Sequence, residues 1–203
     1  NHALDFEKAF RLYSEMERNA SAEDKLFEAQ IGAMRSAYRS NNASAVSAYA
    51  AKVANNPRAS KEQLATANFF IGKQAYDKQD YNSALNAFQK VIQLSNTEQS
   101  AEARYLIASI YFQKRELDTA QEMCLKANKE SGEFPYWTAR SVILLADVLT
   151  EKGDLYNARA VLEGFLDNYD EDKTLVEQAR KRLDDVNRKI DSSSILNKSG
   201  SGN

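Results

Sequence analysis

Histidine and cysteine are nearly missing from this chain of 203 residues, with one of each, His2 and Cys124. A lone cysteine excludes an intrachain disulfide. A lone histidine two residues from the start excludes the Ser-His and Cys-His arrangements that activate a nucleophile. No zinc-type ligand spacing is left, and the acidic stretch from Asp167 to Asp172 lacks the glycine and closing glutamate of an EF-hand loop. The seven glycines stand singly, so no glycine-rich phosphate loop exists. With 27 basic against 29 acidic residues and a net charge of −2, nothing in the charge favours nucleic acid or an anionic membrane. No stretch approaches the roughly 18 consecutive apolar residues of a membrane span. These absences predict no enzyme, no catalytic residue, no metal and no cofactor.

The scarcity of proline, two residues, and of glycine fits a chain that is mostly helix with short connections. A rhythm is present instead. Ala9, Ala45, Ala84, Ala120 and Ala158 are spaced 36, 39, 36 and 38 residues apart, each followed four residues later by Tyr13, Tyr49, Phe88, Cys124 or Leu162. A period in this range marks a helical repeat array. Cys124 stands where other copies carry a bulky apolar residue and is predicted to be buried rather than reactive.

The clearest copy spans about residues 62–95. Ala67, Phe70, Ile71 and Ala75 recur at helical spacing, a break follows at Lys78-Gln79-Asp80, and Tyr81, Ala84, Leu85, Phe88 and Val91 form a second apolar stripe. Two helices joined by so short a turn pack antiparallel. Gly72 and Ala84 are small where they approach. The plan recurs over about 24–57, 101–129 and 136–169, with Gly153 placed to end a helix in the left-handed conformation. In the 24–57 copy the turn Ser40-Asn41-Asn42 reads as one residue longer than the others. Residues 5–18 match a second helix alone and 174–190 a closing first helix with a charged outer face, as a cap requires. The composition from 192 to 203 predicts a disordered tail.

The unit with Gly72, Tyr76, Asp80-Tyr81, Ala84 and Phe88 resembles the tetratricopeptide repeat, and its copies cover most of residues 5–190. The resemblance implies an all-α fold, a right-handed α-solenoid of antiparallel helix pairs, and a non-enzymatic scaffold that binds a protein or peptide in its concave groove. The segment from Phe134 to Asp170 is further similar to a repeat near the end of long tetratricopeptide proteins of Bacteroidetes. That likeness implies the carboxy-terminal part of a longer protein and a periplasmic or outer-membrane-associated setting. In such arrays the first helices line the groove, which makes Phe69, Lys73 and Tyr76, and 36 residues on Tyr105, Ser109 and Phe112, the candidate binding residues. The same aromatics serve equally well to pack neighbouring repeats together. Phe69 and Lys73 stand where a carboxylate clamp would need lysine and asparagine, so chaperone-type capture of a peptide terminus is not expected. The alternative reading is a structural spacer or self-assembly element of an envelope complex, associating through the amino-terminal helix.

Overall fold

The computed structural model describes residues 2–200, with side chains described from 4 to 193. Ten helices and no strand are found among the described residues. They are α1 (His2–Asn19), α2 (Glu23–Arg39), α3 (Ala43–Ala54), α4 (Lys61–Asp77), α5 (Tyr81–Leu94), α6 (Glu98–Gln113), α7 (Leu117–Glu130), α8 (Pro135–Glu151), α9 (Leu155–Asn168) and α10 (Lys173–Gly200). The chain divides into two compact units, 1–103 and 104–203, with the division inside α6.

Four of the connections are the same turn. Asn41, Gln79, Arg115 and Gly153 all take positive φ, at 58°, 60°, 63° and 79°. In each, the residue after the left-handed one donates its N–H to a carbonyl five residues back: Asn42 to Ala37, Asp80 to Ala75, Glu116 to Tyr111 and Asp154 to Leu149, all at 2.9–3.0 Å. This Schellman-type closure satisfies carbonyls that the helix end leaves open. Sequence alone marked Gly153; Gln79 and Arg115 carry no such mark, because a non-glycine residue enters this conformation only when the turn on either side holds it there.

The turns fix a register that corrects the first copy. They lie 38, 36 and 38 residues apart, so the 40–42 turn has the same length as the rest, and Val46, not Ala45, is equivalent to Ala84, Ala120 and Ala158. All four are buried. By the same register the residue opposite Gly72 in the first copy is Met34, and Phe88 corresponds to Ala50, Cys124 and Leu162. Each helix pair thus divides one buried volume differently: Met34 with Ala50, Gly72 with Phe88, Ala108 with Cys124, Ala146 with Leu162. In the α4/α5 pair the fit is tight. A Cβ on Gly72 would meet the Phe88 ring at 2.6 Å.

In the first unit α1 packs on α2, and its Tyr13 ring lies where a Cβ on Gly32 would meet it at 2.3 Å. Glu17 anchors the helix. It accepts hydrogen bonds from Tyr49 (2.8 Å), Lys52 (2.7 Å) and Gln30 (3.0 Å). Burial pushes its carboxyl up, but these donors outweigh that and hold it below the usual glutamate value. Glu17 is the polar tie between α1, α2 and α3. In the second unit one apolar core runs through α6 to α10, from Ala108 through Leu145 and Leu162 to Ile190. Pro135 starts α8, where its missing N–H costs nothing. The closing helix does not stop at Ile190. It continues to Gly200, with Ser192 Oγ bonded back to Arg188 O, so the expected disordered tail is helix up to that residue, and 201–203 lie outside the described residues.

Candidate functional site

Counting back from each left-handed turn residue places the candidate side chains. Ten residues before it stand Ile31, Phe69, Tyr105 and Ile143; six before it Arg35, Lys73, Ser109 and Asp147; three before it Tyr38, Tyr76, Phe112 and Thr150. The structure adds Ile31, Arg35 and Tyr38, which the slipped register of the first copy conceals.

The first of these rows is core. Phe69 is 2% exposed, tilted against Phe70 at 6.0 Å and Phe88 at 6.4 Å between ring centroids. It fills the interior of its own helix pair against those two rings and offers no surface to a ligand. Ile143 is likewise buried. Tyr105 is half-buried and already engaged: the Arg140 guanidinium lies 4.4 Å from its ring centroid and donates to its hydroxyl at 3.0 Å, with Trp137 on another side at 5.8 Å.

The second row is polar. Lys73 donates to Glu102 at 2.9 Å. Burial pulls its ammonium down, yet the bond to Glu102 and that residue's charge prevail and raise it above the usual lysine value. It remains cationic at all physiological pH. Ser109 is buried and accepts from Gln113 Nε2 at 3.3 Å. Asp147 accepts from Arg182 of α10 at 2.7 Å.

The third row is the more open one. Tyr38 is 42% exposed and stacks on Phe70 at 4.2 Å. Burial and then the charge of Glu102 raise its hydroxyl above the usual tyrosine value, so it stays a neutral donor. Tyr76 is half-buried beside Tyr81, at 6.2 Å, and Phe112 half-buried against the second unit's core. Of the six sequence candidates, Lys73, Tyr76, Tyr105 and Phe112 therefore keep partial exposure, while Phe69 and Ser109 do not.

Cys124 is fully buried and burial, with a smaller contribution from Asp147, pushes its thiol up to about 12, so no thiolate forms near neutral pH. Among the described residues no group of three His, Cys, Asp or Glu side chains is placed to hold a metal ion. No described helix is long and apolar enough to cross a membrane.

Residues 75–143 match the tetratricopeptide repeat family. The match supports a tetratricopeptide repeat protein, and repeats of this kind generally mediate protein–protein interaction. The whole chain also superimposes on a solved structure titled crystal structure of BtubC (BKLC) from P. vanneervenii. The TM-score is 0.65 at 10% identity, over 100% of this chain and 92% of that one. At that identity the likeness concerns the fold, which is an all-α solenoid of helix pairs. No curated protein matches the chain.

Proposed function

We propose that this chain is a non-enzymatic scaffold that binds an extended or helical peptide along its first-helix faces, the concave groove of a tetratricopeptide array. The observation that supports it most is the third row within the first unit, where Tyr38 and Tyr76 stand at one register position and remain partly exposed beside polar neighbours. Tyrosine and phenylalanine offer large contact area at low entropic cost, and Lys73 adds a fixed cation for an acidic or carbonyl group. To test it, peptides selected from a displayed library against the whole chain are titrated into wild type and the Tyr76→Ala, Tyr105→Ala double variant. A loss of tenfold or more in affinity, with helicity unchanged, is expected; unchanged affinity moves the site elsewhere.

A second reading, a self-assembling spacer of an envelope complex, is favoured by one feature of α1. Leu4 and Leu12 are 59% and 58% exposed, and Tyr13 is 38% exposed. Sedimentation of wild type against Leu12→Lys separates the two: a dimer lost in the variant supports assembly through α1, and a monomer in both removes it.

A further inference from the structure

A hollow of about 480 Å³ lies within the second unit between α7, α8 and α9. Its volume is in the range of about 300–1,000 Å³ that ligand sites occupy. Apolar side chains form its bed, among them Pro135, Ala139, Val142, Val161 and Phe165, and polar ones, Asn128, Thr138, Asn168 and Tyr169, border it.

Three observations bear on what fills it. Gly164 sits in the middle of α9 and lines the hollow, yet a Cβ there would meet nothing within 4 Å. Gly72 and Gly32 are forced by rings lying against them; Gly164 is forced by nothing inside the chain, although glycine is a poorer helix former than alanine. Its one local effect is to keep the hollow open. Next, Asn128 Oδ1 is buried without a hydrogen-bond partner in the wall, an acceptor that calls for a donor. Finally, the side formed by the end of α9 is acidic. From Glu163 to Asp172 the chain carries Glu163, Asp167, Asp170, Glu171 and Asp172 and no lysine or arginine. The carboxy-terminal end of α9 adds its own partial negative charge there. Burial and then the charges of Glu171 and Asp172 raise the Tyr169 hydroxyl, which places those carboxylates within electrostatic reach of a lining residue.

We propose that this hollow is a second docking site and that its occupant is an amphipathic segment of another protein, aliphatic side chains flanked by lysine or arginine. The aliphatic groups lie over Val142, Val161 and Phe165. The cations face the acidic end of α9, and a donor on the segment satisfies Asn128. The site is independent of the first-helix rows and uses none of their residues.

The test uses the whole chain and two fluorescein-labelled synthetic helices with leucines at identical positions, one carrying lysine and the other glutamate elsewhere. The lysine helix is expected to bind at least tenfold more tightly at low salt, with affinity falling as salt rises. Gly164→Phe places a ring in the hollow and improves helix propensity, so it should melt no earlier than wild type and bind the probe at least tenfold more weakly. Ala160→Arg, at an exposed lining position, is the second blocking variant should the phenylalanine disturb folding. Asp170→Lys with Glu171→Lys should weaken binding and flatten its salt dependence. Equal binding of the two helices, or full binding by both blocking variants, overturns the proposal. So does loss of probe binding in the Tyr76→Ala, Tyr105→Ala variant alone, which would assign the probe to the first-helix faces. A dimer of wild type that Gly164→Phe dissolves would make the occupant a second copy and overturn the assignment just as firmly.

Discussion

The α4/α5 and α8/α9 pairs share one backbone plan and fill it in opposite ways. Gly72 and Phe88 give all the bulk to the second helix, whereas Ala146 and Leu162 share it more evenly. Their turns differ in the same spirit, with Gln79 held at φ 60° and Gly153 at φ 79°. These two pairs therefore share a similar total volume and a turn geometry, not particular residues, and the position at which each pair is vulnerable moves accordingly.

The largest effect should come from emptying that volume. Phe88→Ala removes a fully buried ring and is expected to cost about 3–5 kcal/mol in urea unfolding, against about 2–5 kcal/mol for Leu162→Ala in the other pair. Overfilling comes next. Gly72→Ala drives a Cβ to 2.6 Å from a ring that has no room to retreat, at a cost of about 1–3 kcal/mol. Adding Phe88→Leu to Gly72→Ala recreates the α8/α9 division and should recover most of that loss. A double-mutant cycle showing strict additivity would mean that the two positions do not share one space.

The turns give a smaller and opposite pair of changes. Gly153→Ala loses about 1 kcal/mol, because alanine at positive φ is strained, whereas Gln79→Gly relieves the same strain and gains up to about 1 kcal/mol. Thermal melts that shift both proteins in one direction would contradict the shared geometry. The smallest effect concerns the helix starts after those turns. Asp80 caps α5 by accepting from Ser83 N at 3.2 Å, and hydrogen bonds from the Ser83 side chain and then from its backbone hold the carboxyl below the usual aspartate value, whereas Asp154 makes no such cap to α9. A depressed folded pKa adds stability that is present above the unfolded value and lost as pH falls through the folded one. Acid should thus erase the difference between wild type and Asp80→Asn as pH falls below the usual aspartate range.

The helix pairs, their turns and the solitary α1 were legible in the sequence because apolar spacing and short polar breaks encode them directly. The register of the first copy was not. Ala45 with Tyr49 imitates the small-then-bulky pattern one position early, while the residues that pack are Val46 and Ala50. Phe69 looked like a surface rung because a helix face is read one side chain at a time, and its burial depends on neighbours such as Phe88, which comes from the next helix. Glu17 was unreadable for a related reason: its donors Tyr49 and Lys52 arrive from α3, more than thirty residues later. The hollow beside α9 was invisible because sequence shows which residues are small, not whether a neighbour fills the space they leave.

Identical turns have a consequence for how the chain finds its fold. Any first helix can close onto any second helix through the same turn, so turn geometry alone would permit mismatched hairpins. The divided cores forbid those that involve α4 or α5. α4 set against α7 would bring Gly72 to Cys124 and leave a void, and α6 set against α5 would press Ala108 into Phe88. The α4/α5 hairpin thus carries a private key within a common lock.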